Sequence, residues 1–144
     1  VVKYLVLTYI PLGGYVPFLP HIACLTYVQN TGAAFSLFSE HTWLLTLVSL
    51  VMSVLLLAAL VRGFFRHPFG RISLALLLAG AVGNLIDRAF QGYVVDMFHV
   101  LFMEFAVFNV ADICVVVGGI AAAVYYVWGY ERLEQGLHPQ ERRP

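Results

Sequence analysis

The sequence predicts an all-α polytopic membrane protein, a transmembrane helix bundle with three full spans and a small extracytoplasmic β-cradle. Composition is the first reason: 61% of the 144 residues are apolar and 11% charged, against soluble averages of roughly 45–50% and about 25%. Patterning is the second, because three long stretches lack formal charge, and each is framed by polar or basic residues. The third is exclusion. Eight Lys and Arg balance eight Asp and Glu, so no basic surplus exists to neutralise a nucleic-acid backbone, and so apolar a chain does not stay disordered. Cys24 and Cys114 form neither a metal spacing nor a disulfide framework.

Residues 4–42 are expected to form the cradle. Tyr4 to Ser39 carries no formal charge, but Pro11, Gly13, Gly14, Pro17 and Pro20 interrupt it, and a spanning helix would lose a hydrogen bond at each internal proline. Lys3 to Ile10 reads as the last turns of a helix. Ile22 to Val28 is β-branched and aromatic and precedes Asn30, Thr31 and Gly32, the pattern of a strand running into a turn.

The first span is 43–61. Glu40 and Arg62 bracket 21 residues without formal charge, and Trp43 to Val61 as a helix covers about 28 Å of a roughly 30 Å hydrocarbon core. The second span, 72–88, is shorter and ends on Asn84, Asp87 and Arg88. The third, 112–130, starts at Asp112 and closes on Tyr125, Tyr126, Trp128 and Tyr130, an interfacial aromatic belt. Arg62, Arg66 and Arg71 join the first two spans, and Arg132, Arg142 and Arg143 follow the third. The positive-inside tendency places both in the cytoplasm. The loop 89–111 has no Lys or Arg and faces outward, and 131–144 is a cytoplasmic tail. The whole chain, 1–144, reads as one domain.

Charged groups at membrane depth cost roughly 2.5–3.5 kcal/mol at a helix centre, so they are functional candidates. Asn84, Asp87 and Arg88 stand at i, i+3 and i+4, one helical face, with Gly80 and Gly83 offering a strip for close helix approach. The plain alternative is a helix-end salt bridge from Asp87 to a neighbouring cation beside a glycine packing seam.

Asp96 in YVVDMF and Asp112 in FNVADIC lie 16 residues apart in apolar sequence. If 97–111 folds back so that they meet, repulsion and low dielectric make the two share one proton. One is then a base for water and the other an acid for the carbonyl, chemistry that needs no metal. Asn109 as N-cap with Asp112 at the third helical position is the structural alternative for Asp112. It is compatible with catalysis, since the helix dipole favours an ionised Asp112 and leaves the proton nearer Asp96.

Other schemes fit less well. Lys3 is the sole lysine and sits at the start, leaving a Ser/Lys dyad without a base, and no serine occupies a GxSxG elbow. The five histidines show no HExxH. His99 reads as an interfacial histidine and Glu104 as a solvated loop acid. A rival function is a small transporter or proton-relay subunit using the same carboxylates.

Four motifs in order, NTGAAFS (30–36), GNLIDR (83–88), VVDMF (94–98) and FNVAD (108–112), resemble bacterial lipoprotein signal peptidase, or signal peptidase II. The resemblance implies a four-span inner-membrane aspartic endopeptidase. It cleaves prolipoproteins before a diacylglyceryl-modified cysteine, needs no metal or cofactor, and is blocked by globomycin. It further implies Asp96 and Asp112 as the catalytic pair, with Asn30, Gly32, Asn84, Arg88, Asn109 and Ala111 lining or bracing the site. Asn30 and Arg88 resemble substrate and inhibitor contacts, and Asp87 resembles an acid that orients Arg88. Membrane lipids are the other implied partners. The family's first span ends in DQxxK, of which this sequence holds only VVK at Val1 to Lys3.

Overall fold

The computed structural model describes residues 1–32 and 42–134. Most of NTGAAFS beyond Gly32, and the tail from 135 with its Arg142 and Arg143, lie outside the described residues. The elements run α1 (Val2–Tyr9), β1 (Tyr15–Leu19), β2 (Ala23–Asn30), α2 (Thr42–Val61), α3 (Pro68–Gln91), β3 (Val94–Val100) and α4 (Val110–Val124), the last continuing as a π-helix over Tyr125–Glu134. Among the described residues three segments are long and apolar enough to cross a membrane: Thr42–Val61, Pro68–Gln91 and Val110–Tyr130.

The 43–61 span is observed almost as expected. The 72–88 span is longer at both ends, for local reasons. His67 caps α3, its Nδ1 accepting from the Phe69 amide at 3.3 Å, and Pro68 follows at the first turn, where a missing N–H costs nothing. At the other end Gly92 adopts φ 77°, a left-handed C-cap that glycine takes without steric penalty. Arg71 therefore lies inside the helix rather than in the preceding connection.

The helices meet through glycine. A Cβ on Gly80 would fall on the Ala111 carbonyl and the Val115 backbone, and one on Gly118 would come within 2.7 Å of the Leu77 amide nitrogen. Small residues thus let the α3 and α4 backbones touch, the usual route to tight packing in lipid. Away from the site, Phe65, Leu74 and Tyr125 form a buried cluster where α2, α3 and α4 converge.

Residues 89–111 are not simply a loop. Val94–Val100 is a strand that completes an antiparallel sheet of order β1-β2-β3. Its first four residues are buried on both faces, so the apolar run lacks the alternation that marks a half-exposed strand. β1 lies at the other edge, exposed throughout and interrupted by Pro17, as edge strands tolerate. Val6 and Ile10 pack on Tyr27, Val95 and Met97, which fastens α1 to the sheet.

Register decides where Asp96 points. Asn30 to Val28 pair with Val94 to Asp96, Leu25 pairs with Phe98, and the register slips between them. Thr26 and Tyr27 thus oppose Met97 alone, a bulge immediately beside Asp96 of the kind that re-aims side chains near active sites. Beyond β3 the chain folds back, and the Phe108 carbonyl accepts from the amides of Met97 and Phe98 at 3.0 and 2.8 Å. That pairing delivers Asn109 and the start of α4 to Asp96.

Candidate active site

Asn109, 0% exposed, is the hub. Its Oδ1 accepts from the amides of Ala111 and Asp112 at 2.7 and 3.2 Å, which starts α4. Backbone amides only donate, so the Asn109 Nδ2 must face the other way. It donates to Asp96 Oδ1 at 2.6 Å and to Asn84 Oδ1 at 3.2 Å. Asp112 closes the capping box, its Oδ2 accepting from the Asn109 amide at 3.0 Å. The cap expected at Asp112 is therefore present, and the same bonds hold the carboxyl in place.

Asn84 makes the second link. Its Nδ2 donates to Asp112 Oδ1 at 2.7 Å, and its Oδ1 accepts from Lys3 Nζ at 2.8 Å. Since Lys3 can only donate, it fixes which end of the Asn84 amide meets Asp112. A continuous path thus runs Asp96, Asn109, Asn84, Asp112. Asn30 adds a bond to Asp96 Oδ2 at 2.9 Å and turns its own Oδ1 to the Gly32 amide.

Asp96, 2% exposed, is held above the usual carboxylate range. Burial is the main cause, the amides of Asn109 and Asn30 oppose it, the nearby Asp112 charge adds to it, and Lys3 opposes it weakly. Desolvation disfavours the charged form, and two neighbouring carboxyls resist double ionisation.

Asp87 makes its short direct bonds to α1 and β3. It pairs with Lys3 at 2.6 Å and accepts from the Val95 amide at 2.9 Å, tying α1, α3 and β3 together. The plain salt-bridge reading of Asp87 is the observed one, because Lys3 packs beside the α3 C-terminal turn while Arg88 leans away. Arg88 reaches Ser49 Oγ and the Gly32 carbonyl, both at 3.4 Å, and its buried Nε has no partner among the described residues. The polar face of α3 therefore fans out over three neighbours.

Asn30, Ser49, Asn84, Arg88, Asp96 and Asp112 line one cavity of about 650 Å³, whose remaining wall is apolar and includes Val48, Met52 and Val116. Gly32, Asp87, Asn109 and Ala111 stand behind that lining as braces. Ala111 fills the seam against Gly80 and Gly83, so any larger side chain there would push α3 from α4. His99 and Glu104 are exposed. Among the described residues no group of three His, Cys, Asp or Glu is arranged to hold a metal.

Two participants were missed by sequence reasoning. Lys3, set aside as remote, donates to Gly83, Asn84 and Asp87; the available signal was its place as the lysine of VVK. Ser49 on α2 carries no sequence signal beyond being a polar residue in a span.

Bundle, cradle and a pair of carboxyls braced by amides beside an apolar cavity define a polytopic membrane enzyme. The signal peptidase (SPase) II family model matches residues 1–128. The lipoprotein signal peptidase of Enterococcus faecalis is 37% identical over 134 residues, 93% of this chain and 83% of that protein. The Streptococcus pyogenes serotype M2 lipoprotein signal peptidase is 39% identical over 126 residues, 85% of this chain and 80% of that protein. Among solved structures, a bacterial membrane enzyme determined by the in meso method at 2.3 Å superposes with a TM-score of 0.79 at 25% identity, covering 99% of this chain and 84% of that one. A second, at 1.9 Å, gives 0.79 at 27% identity, with 89% and 84% covered. The chain belongs to the signal peptidase II family. It is a membrane protease that removes signal peptides, not a transporter or proton-relay subunit.

Proposed function

We propose that the chain is an aspartic endopeptidase that cuts diacylglyceryl-modified prolipoproteins immediately before the lipidated cysteine. The observation that carries this reading is Asn109, which grips Asp96 by its side chain and Asp112 by its backbone at the wall of an apolar cavity.

Asp112, receiving two N–H donors at the first turn of α4, serves as the base. Asp96 starts protonated, in keeping with its raised pKa. Asp112 takes a proton from water as the water oxygen bonds to the scissile carbonyl carbon, and Asp96 gives its proton to the carbonyl oxygen. Asp112 then passes its proton to the departing amine as the C–N bond breaks. Asp96 recovers a proton from the hydroxyl as the carbonyl re-forms. Both carboxyls return to their starting states.

The apolar cavity suits acyl chains and the signal helix, so much of the binding energy comes from apolar burial. Arg88, with two long bonds and an Nε that has no partner among the described residues, is a planar donor suited to substrate carbonyls. The arginines at 62, 66 and 71 lie at the opposite end of α2 and α3 from the site, which supports an inner-membrane protein with its active site extracytoplasmic and its C-terminus cytoplasmic. Reconstituted protein is expected to cleave a diacylglyceryl-modified prolipoprotein peptide, to leave the unlipidated peptide intact, and to stop with globomycin. Equal cleavage of both peptides would contradict the reading.

A further inference from the structure

Asp96 and Asn30 line a second cavity besides the apolar one. It has a volume of about 880 Å³, inside the roughly 300–1,000 Å³ range of ligand sites. It opens on the sheet side, between the end of β2 with Thr31, His99 near the end of β3, and the segment after β3 that carries Glu104. Where the first cavity joins its polar site residues to a long apolar wall, this one sets amide, hydroxyl, imidazole and carboxylate groups among apolar residues such as Val28, Leu101 and Met103.

A polypeptide cut at Asp96 has two ends. The signal side is apolar and matches the first cavity, while the other end must leave towards water. We propose that the second cavity receives the residues that follow the lipidated cysteine in the product, and that Glu104 selects among them by charge. This rests on the proposed function and deepens it.

Among the described residues that line the cavity, Asp96 and Glu104 are the only formally charged ones. The sequence from 89 to 111 contains no Lys or Arg, and 4–39 contains no formal charge, so neither flanking segment offsets these acids. A lysine in the departing chain is drawn towards Glu104, and a glutamate is repelled. Because Glu104 is exposed, the effect is modest and screened by salt.

Three diacylglyceryl-modified prolipoprotein peptides differing only in Lys, Gln or Glu at the third to sixth residues after the cut test this. With wild-type protein at low ionic strength, kcat/KM is expected to fall in the order Lys, Gln, Glu, spanning roughly three- to tenfold. Glu104→Gln shrinks the span, Glu104→Lys reverses the order, and both keep wild-type turnover of the Gln peptide. High salt compresses the span in all three proteins. An unchanged order with Glu104→Lys, or no charge preference in the wild type, overturns the assignment of the second cavity while leaving the protease reading intact. Failure to cleave any of the three peptides overturns the protease reading itself.

Discussion

On the side of α3 that meets α4, the bonds fixing Asn84, Asn109 and Asp112 run from 2.6 to 3.2 Å, whereas on the side that meets α2, Arg88 makes two bonds at 3.4 Å and leaves Nε unpaired among the described residues. The first side is locked by glycine-mediated backbone contact. The second opens onto the apolar cavity. On the proposed mechanism the difference is a division of labour: the carboxyls assigned to proton transfer are preorganised by an amide network, while Arg88, assigned to substrate, keeps unspent hydrogen-bonding capacity among the described residues. Substitutions on the α4 side should therefore damage stability and activity together, and those on the α2 side activity alone.

Gly80→Val should lower stability strongly, since its side chain would meet the Ala111 carbonyl and Val115 backbone. Overpacking of this kind costs at least about 1–3 kcal/mol, and thermal unfolding in detergent measures it. A wild-type midpoint would break the claim that the seam is rigid.

Asn109→Ala removes an N-cap, about 0.5–2 kcal/mol, and also strips donors from buried Asp96 and Asn84, about 1–3 kcal/mol more. Loss of both stability and cleavage is expected, the latter from material that still inserts. Retained activity would mean the two carboxyls do not need their shared brace.

Arg88→Lys keeps the charge but loses the planar donor. Because a hydrogen bond to a charged group is worth about 1.5–3 kcal/mol, kcat/KM should fall about tenfold or more with the unfolding midpoint unmoved. A shifted midpoint with intact kinetics would invert the comparison.

The smallest effect is a slope. Asp96 holds its proton more tightly when folded, its pKa lying above the ordinary 3.8. Its contribution to stability is therefore full below that value and is lost as pH rises through the folded pKa. Asp96→Asn should flatten this decline, whatever constant offset the altered hydrogen bonding adds. An identical slope in wild type and variant would place the proton elsewhere.

The spans were legible because lipid tolerates few charges, so gaps between charged residues nearly coincide with helices. Charge alone misplaced the ends of α3: Arg71 marked a boundary, although His67, Pro68 and Gly92 carried the capping signals. The candidate site was legible as motifs around Asp96, Asn84 and Asp112, and Asn109 was recognisable as a cap. Its wiring was not. Lys3 meets Asp87 across 84 positions of sequence, and helical spacing placed Arg88 beside Asn84 without revealing that its long side chain turns towards α2. Strand β3 was hidden because burial on both faces erases alternation.

The central claim is that Asp96 and Asp112 act as one unit on one water. Turnover of lipidated substrate by Asp96→Asn, Asp112→Asn and the double variant tests it most directly. Each single change is expected to cost about 10²–10⁴-fold in kcat, and the double variant should be no slower than either single one, as for residues acting together. Near-normal turnover by either single variant, or losses that multiply in the double variant, would contradict it.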